Sequence, residues 1–330
     1  MRRRDLLTML ASAVVAWPIG ARAQQLAGRT ARIGFLQPSP DNPVVSLGHP
    51  AFLDELKKSG FSEGQNLVIE AVRTDQDAQR LFAETANLVR SNVELLVVTG
   101  GSETALKAAL AASRTIPIVM WAINFDPIAR GYVKSLAHPG GNITGVVSLQ
   151  TELAAKQVEL LTQAFPERTR LAVLWDADSA DQFAAAERQA RSLRLDVRSL
   201  KLENPPYDFD AAFRSLAEGS PQMLLVLSSR FFTLSRSHIA ELAIQQRLPT
   251  MFIFKTYVEA GGLISYGVDP AVIYRQLGFY VAKILNGAKP ADLPIQQAVK
   301  FELVINLKTA KAIGVDLSTA IQLRADEVIE

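Results

Sequence analysis

The chain has 330 residues, more than one ordinary hydrophobic core holds, so two lobes are expected from domains of about 100 to 200 residues. Its composition, 48% hydrophobic and 21% charged, is typical of a globular protein. The chain has no cysteine, which excludes disulfides, thiolate metal sites, a cysteine nucleophile and a lipid-modified cysteine.

The N-terminus predicts an export signal, residues 1–23, cleaved near Ala23. Three arginines precede an apolar run from Leu6 to Ile19, and Ala21-Arg22-Ala23 provides the small-x-small pattern of a signal peptidase site. The run is shorter than the roughly 20 residues that span a bilayer. Residues 3–7, "RRDLL", resemble a twin-arginine signal, and a general secretory signal is the alternative. Either route predicts a periplasmic protein.

Removal of the signal changes the charge balance. The full chain has 35 basic and 33 acidic residues. Residues 1–23 contain four arginines and one aspartate, so 31 basic and 32 acidic residues remain, with a formal net charge of −1. No basic excess is left to indicate a nucleic-acid partner.

Two sets of four apolar runs, each alternating with helix-like stretches, predict an α/β fold with two doubly wound parallel-sheet lobes. The first set is "RIGFLQ" from Arg32, "NLVIEAV" from Asn66, "ELLVVTG" from Glu94 and "IPIVMWAI" from Ile116. The second set is "RLAVLWD" from Arg170, "LDVRSLK" from Leu195, "QMLLVLSS" from Gln222 and "PTMFIF" from Pro249.

Further extended segments predict that the chain passes between the lobes more than once. These are Ile143–Val147 after a Gly- and Pro-rich turn, "GGLISYGVDP" from Gly261, and "VKFELVINL" from Val299. An amphipathic helix ending at Asn286-Gly287 and a last helix from Lys308 are also predicted. The predicted lobes are 30–145 plus about 267–295, and 146–266 plus about 296–330. Multiple crossings are typical of lobes that close on a ligand.

The stretch "LLVVTGGSETALKAAL" from Leu95 is built like a phosphate-binding loop but lacks its chemistry. Lys107 is not followed by Ser or Thr, and no Gly-x-Gly-x-x-Gly pattern occurs. Glu103 would also place a negative charge beside a pyrophosphate. A helix starting near Ser102 still presents free N–H groups, which attract a carboxylate as readily as a phosphate. Ser102 acting only as a helix cap is the alternative.

No catalytic constellation is evident. His49, His138 and His238 are far apart and fit no metal-ligand spacing, and no Gly-x-Ser-x-Gly elbow occurs. The aspartates in "WDADSAD" from Trp175 are typical of the loop before a helix. The sequence therefore indicates a binding protein without cofactor or metal.

Three segments resemble one family closely. They are "DPIARGYVKSLAHPGGNITGVVSL" from Asp126, "GGLISYGVD" from Gly261 and "KPADLPIQQAVKFELVINLKTAKAIG" from Lys289. They are similar to the substrate-binding proteins of ABC transporters, above all to a rhizobial-type subgroup with twin-arginine signals, related to aromatic amino acid binding proteins. The resemblance covers nearly the whole chain. It implies the type I periplasmic-binding-protein fold, in which three crossings join two lobes and a small ligand lies between them.

On that fold the ligand touches the loops after the strands, which places the candidate ligand-binding residues. They are Gln37, Ser39, Gly101, Ser102, Glu103, Asn124, Phe125, Asp126, Ser148, Asp176, Ser229, Arg230, Phe231, Tyr257 and Tyr266. Phe125, Phe231 and Tyr257 are expected to stack on a planar ligand, and Ser102 with its neighbouring N–H groups to hold a carboxylate. Ordinary core packing is the alternative for each aromatic residue.

The resemblance implies a monomeric periplasmic receptor that closes on an amino acid or other carboxylate and delivers it to an ABC permease. Two alternatives from other classes stay open. One is a sensory protein that presents its ligand to a receptor kinase. The other is an α/β enzyme in which Asp126, Asp176 or Glu103 acts as the acid or base.

Overall fold

The computed structural model describes residues 29–74, 77–99 and 103–330. The proposed export signal lies outside the described residues, as do two of the candidate binding residues, Gly101 and Ser102. Within the described ranges, none of the helices has the length and apolar character needed to cross a bilayer.

The strands follow the predicted apolar runs. They are β1 (Ala31–Gln37), β2 (Leu67–Arg73), β3 (Leu95–Val98), β4 (Ile118–Ala122), β5 (Ile143–Val147), β6 (Arg170–Trp175), β7 (Asp196–Lys201), β8 (Met223–Val226), β9 (Thr250–Phe252), β10 (Ile264–Val268), β11 (Gln296–Gln297), β12 (Phe301–Asn306) and β13 (Glu327–Ile329). The central strands β3, β4 and β8 are buried along their whole length, whereas the edge strands β2 and β7 are partly exposed. Continuous apolarity therefore marks the strands that are covered on both faces.

The helices occupy the intervals between the strands. They are α1 (Pro43–Lys58), α2 (Ala78–Arg90), α3 (Glu103–Ala112), α4 (Gln150–Ala164), α5 (Ala180–Ser192), α6 (Phe209–Glu218), α7 (Arg230–Leu234), α8 (Arg236–Gln245), α9 (Lys255–Glu259), α10 (Pro270–Leu285), α11 (Leu307–Ile313) and α12 (Thr319–Gln322). The predicted amphipathic helix is α10, in which Asp269 caps the start, Pro270 takes the first position and Asn286 ends the helix.

Two separate sheets confirm the predicted fold class. Among the described residues, the first sheet has six parallel strands in the order β11-β5-β4-β3-β1-β2. The second has seven strands in the order β13-β12-β10-β9-β8-β6-β7, and its β10–β12 pair is antiparallel. The first unit is here the six-stranded sheet with its helices, and the second unit is the seven-stranded sheet with its helices.

The chain passes between the two units at three places. Strand β5 completes the first sheet, and α4 directly after it packs on α5 of the second unit. Strand β10 belongs to the second sheet, and α10 directly after it packs on α1 of the first unit. Strand β11 pairs with β5, whereas the next strand, β12, pairs with β10. The crossings therefore lie near 148–149, 269 and 298–300.

Gly145 in β5 shows how closely the first sheet is packed beside the first crossing. Its φ is +136°, and a Cβ there would lie 2.0 Å from the carbonyl oxygen of Met120 in the neighbouring strand. Any other residue would combine backbone strain with a steric clash, so the position requires glycine.

Hydrophobic packing continues from one unit to the other. One core cluster contains Phe35 and Trp121 of the first unit together with Phe232 and Phe254 of the second. The rings of Trp121 and Phe254 have their centroids 6.5 Å apart at 65°. The carboxyl edges of the two sheets therefore meet around a shared hydrophobic cluster, and the polar residues after the strands lie beside it.

Candidate functional site

The candidate site lies where the carboxyl edges of the two sheets face each other. All the loops that follow parallel strands leave a sheet at this edge, so the polar residues after the strands collect there. Asn124, after β4, donates through Nδ2 to the carbonyl oxygen of Ser228, after β8, at 3.2 Å. Arg230 donates through Nη1 to the carbonyl oxygen of Thr74, after β2, at 2.7 Å. These two hydrogen bonds join the units across the junction.

Asp176, the residue after β6, organises the second unit's side of the site. The residue is 1% exposed, and its carboxylate accepts hydrogen bonds from the Tyr207 hydroxyl at 3.2 Å and from the Ser229 hydroxyl. The backbone N–H of Asp178 at 3.0 Å and the Ser179 hydroxyl at 3.1 Å also donate to it. Four donors occupy this carboxylate, so it fixes the surrounding loops.

Arg230 places a positive charge at the junction. Its Nε atom lies 3.7 Å from Asp178 Oδ2, which is an ion-pair distance but too long for a hydrogen bond. Burial raises the pKa of the Asp178 carboxyl, the Arg230 charge partly offsets this effect, and the Asp176 charge adds to it. A fixed cation and an acid with a raised pKa thus stand side by side.

Two aromatic rings border this charged pair. The rings of Tyr207 and Phe231 have centroids 5.3 Å apart at 73°, and both side chains are half-buried. The Arg230 guanidinium lies 4.7 Å from the centroid of the Phe231 ring, a cation–π distance. Burial and the charge of Asp176 raise the pKa of the Tyr207 phenol, so it stays protonated and donates its hydrogen bond.

An amide network closes one side of the junction. Gln182 Nε2 donates to Asn124 Oδ1 at 3.1 Å, and Gln182 Oε1 accepts from the backbone N–H of Ser228 at 3.1 Å. Beyond this network, Arg130 and Asp181 pair at 3.0 Å with exposed side chains. A cavity of about 230 Å³ next to the network is lined by Asn124, Gln182, Asp181 and the start of α4, and by three further predicted site residues, Phe125, Asp126 and Ser148. On this side of the junction, the contacts between units thus involve uncharged amides inside and an ion pair at the surface.

On the first unit's side, Glu103 at the start of α3 is bound within its own unit. It accepts a hydrogen bond from the Tyr132 hydroxyl at 2.6 Å and pairs with Lys107 at 3.2 Å. Burial raises the pKa of Glu103, but the Tyr132 and Lys107 hydrogen bonds and the charges of Lys107 and Arg130 outweigh burial and lower it overall. Glu103 is therefore an ionised carboxylate engaged inside its own unit.

The structure brings five of the predicted site residues together at the junction, and these are Asn124, Asp176, Ser229, Arg230 and Phe231. Gln37 is beside them, because its carbonyl oxygen accepts from the backbone N–H of Thr74 at 2.9 Å.

Three other predicted aromatic residues pack within one unit, although Phe125 also lines the 230 Å³ cavity. Phe125 packs on Tyr132, with ring centroids 6.0 Å apart. Tyr257 is fully buried, stacks on Phe252 and shares a hydrogen bond with the Thr233 hydroxyl at 3.2 Å. Tyr266 pairs with Phe301 beside the third crossing. Core packing decides where these three side chains point, and a residue's position in the sequence relative to a strand does not reveal it.

The remaining predicted residues have local partners. The Ser39 carbonyl oxygen accepts from the backbone N–H of Asn42, before α1, at 2.9 Å. Asp126 Oδ1 accepts from the backbone N–H of Ile128 at 2.8 Å. The Ser148 hydroxyl accepts from the indole N–H of Trp121 at 2.9 Å. These contacts organise the loops around the site.

Sequence reasoning missed Thr74, Tyr207 and Gln182. Thr74 directly follows β2, and Tyr207 lies in the loop after β7, so the rule that selected the other residues applies to both. Gln182 lies in the first turn of α5, where only its contacts with Asn124 and Ser228 reveal a role.

Comparison with known proteins identifies the family of this chain. The family model of ABC transporter substrate binding proteins matches residues 43–329, so the chain belongs to this family. This assignment confirms the resemblance seen in the sequence and the expectation of a binding protein rather than an enzyme.

Two of the similar proteins have amino acid ligands. A tyrosine-binding protein from Clostridioides difficile is 23% identical over 85% of this chain and 80% of its own length. An ABC domain in complex with L-Trp from Streptococcus pneumonia is 25% identical, with a TM-score of 0.81 over 91% of this chain and all of that chain. A conserved domain protein from Vibrio cholerae is 26% identical, with a TM-score of 0.83 over the same shares.

Proposed function

We propose that this protein is the periplasmic receptor of an ABC importer and binds an amino acid with an aromatic side chain between its two units. The observation that carries the proposal is the meeting of Tyr207 and Phe231 with Arg230 and Asp178 at the junction. Aromatic rings suit a flat apolar side chain, and an adjacent cation and anion suit a zwitterionic head group. The tyrosine and tryptophan ligands of the similar proteins support this ligand class.

The proposed mechanism is hinge closure. A ligand that contacts both units stabilises the closed arrangement in proportion to its greater affinity for that arrangement. The three crossings are short, so a few residues near 148–149, 269 and 298–300 would absorb the dihedral change. Export, monomeric state, delivery to a permease and the lobe boundaries given above belong to the same proposal.

The test is binding of aromatic amino acids to the chain without residues 1–23. Isothermal titration calorimetry with L-tryptophan, L-tyrosine, L-phenylalanine, L-leucine and ribose should show tightest binding for one of the three aromatic amino acids. The same compound should stabilise the protein in thermal unfolding, by about 2.7 kcal/mol at 100 times its Kd. Tighter binding of ribose or L-leucine than of every aromatic amino acid would contradict the proposal.

Variants locate the side-chain site. F231A and Y207A should each weaken binding of the best aromatic amino acid about 30-fold, because a well-packed aromatic contact is worth about 2 kcal/mol. The matched control is F279A, which removes an exposed ring on α10 of the first unit and should leave the Kd unchanged. Equal effects of F231A and F279A would place the ligand elsewhere.

A further inference from the structure

Three buried polar atoms of neighbouring residues at the junction have no hydrogen-bond partner in the part of the chain that the structure describes. They are Gln37 Oε1, Thr74 Oγ1 and Arg230 Nε. Gln37 ends β1 and Thr74 follows β2 in the first unit, whereas Arg230 begins α7 in the second. Hydrogen bonds link the three residues, from the Thr74 N–H to the Gln37 carbonyl oxygen and from Arg230 Nη1 to the Thr74 carbonyl oxygen. Buried polar atoms nearly always have a hydrogen-bond partner, so these three atoms are available to bind a polar group from outside the protein.

The charge at this spot indicates an anionic group. Arg230 carries a guanidinium cation, whose Nη1 donates to the Thr74 carbonyl oxygen while Nε has no hydrogen bond to any described residue. Asp178 at 3.7 Å is too distant to take that hydrogen bond. A guanidinium group is best matched by a planar carboxylate, which forms short charge-assisted hydrogen bonds with it.

We infer that Gln37, Thr74 and Arg230 form the subsite that holds the carboxylate of the ligand, with Asp178 beside it to receive the ammonium group. This inference rests on the proposed function, in which the ligand is an amino acid. The Arg230 Nε–H and the Thr74 hydroxyl donate to the carboxylate oxygens. The Gln37 side-chain amide donates as well once it is turned by 180°, which exchanges its oxygen and nitrogen.

The assignment differs from the carboxylate position expected from the sequence. The sequence led us to expect that Ser102 and its neighbouring N–H groups, on the first unit alone, hold the carboxylate. In the present assignment the carboxylate contacts Thr74 of the first unit and Arg230 of the second. Its binding energy then contributes directly to holding the two units together.

The experiment compares an amino acid with its carboxamide, which keeps the ammonium group and side chain but has no negative charge. The probes are L-tyrosine, L-tryptophan and L-phenylalanine, each with its carboxamide, titrated by calorimetry into wild type, R230M, T74V and R191M. R191M is the matched control, because Arg191 is an exposed arginine of the second unit that pairs with Glu187.

Wild type should bind the acid about 100-fold more tightly than the amide, as expected for a buried charge-assisted contact. R230M should weaken binding of the acid about 100-fold and bring acid and amide within about threefold of each other. T74V should weaken the acid about 10-fold and the amide less than twofold, since it removes a single hydroxyl donor. R191M should match wild type.

Two results would overturn the inference in different ways. If wild type binds one of the three aromatic amino acids and R230M keeps the full preference for acid over amide, the carboxylate is held elsewhere and the proposed function stands. If wild type binds none of the three, the proposed function fails before any variant is compared. Should R230M not fold, T74V decides the matter, because equal losses for acid and amide contradict the subsite.

Discussion

The two edges that meet at the junction differ in chemistry. The first unit contributes uncharged amide and hydroxyl groups from Gln37, Thr74 and Asn124. The second contributes a cation, a carboxylate and aromatic rings, with Arg230 and Asp178 at their centre. In the proposed function, the second unit therefore selects the ligand by charge and shape, while the first adds hydrogen bonds that complete the enclosure.

The largest difference in stability between matching substitutions on the two edges is expected for Asp176 and Asp126, whose carboxylates each organise a loop. D176A should lower the free energy of unfolding by about 3 kcal/mol, because it leaves several buried donors without an acceptor. D126A in the first unit removes a carboxylate that caps a surface turn and should cost about 1 kcal/mol. Urea unfolding followed by circular dichroism measures both, and equal losses would contradict the contrast.

Two tyrosine hydroxyls provide the next comparison, because each donates to a carboxylate on its own unit. Y207F and Y132F should each cost about 1.5 kcal/mol of stability, the value of a hydrogen bond to a charged group. Y207F should also weaken binding of the aromatic ligand about 10-fold through its neighbours Asp176 and Phe231, whereas Y132F should change the Kd less than twofold. Calorimetry separates the two, and a larger effect of Y132F on affinity would assign selection to the first unit.

The pH dependence of stability should have opposite signs for the two acidic residues near the junction. The pKa of Glu103 is lowered, so its ionised form stabilises the folded state above the ordinary value of 4.5 and this stability is lost as pH falls through the lowered pKa. The pKa of Asp178 is raised, so its contribution is fully present below the ordinary value of 3.8 and is lost as pH rises through the raised pKa.

The matching variants are E103Q and D178N, measured by urea unfolding from pH 3 to 7. At pH 7, E103Q should be less stable than wild type and D178N more stable, each by a modest amount because both side chains are partly exposed. Both differences should shrink as the acids become protonated at low pH. The same sign for the two variants at pH 7 would refute the contrast.

The smallest effect is expected for the surface ion pair that joins the units. Arg130 and Asp181 are 47% and 58% exposed, and such pairs contribute about 0.5 kcal/mol or less. R130M should therefore weaken ligand binding less than about threefold, and 0.5 M NaCl should abolish the difference from wild type. A tenfold increase in the Kd of R130M, measured by calorimetry, would show that the surface pair contributes as much to binding as the buried contacts.

Much of the fold was predictable because its strands carry a strong local signal. The run "RLAVLWD" predicts β6 within one residue, since a strand covered on both faces must be apolar throughout. The short strands β11 and β13 were not predicted, because two or three residues at a sheet edge carry no comparable pattern.

The site was predictable only in part, because the position after a strand identifies an edge of the sheet but not the direction of a side chain. Arg230 and Tyr257 satisfy the same rule, yet Arg230 reaches the opposite unit whereas Tyr257 turns into the core. Tyr207 meets Asp176 from a separate loop after Pro205 and Pro206, and no local pattern connects the two positions. Contacts between distant segments exist only once the sheets are assembled.

The hydrogen bonds that join the units through the protein's own atoms have a consequence for how such a receptor can evolve. The contacts of Asn124 and Gln182 involve no ligand atom, so in the proposed closure their free energy is the same whichever compound is enclosed. Weakening them would raise the Kd for every compound by one common factor and leave the ranking of compounds intact. Overall sensitivity and discrimination are therefore separate traits, adjustable by substitutions at different residues.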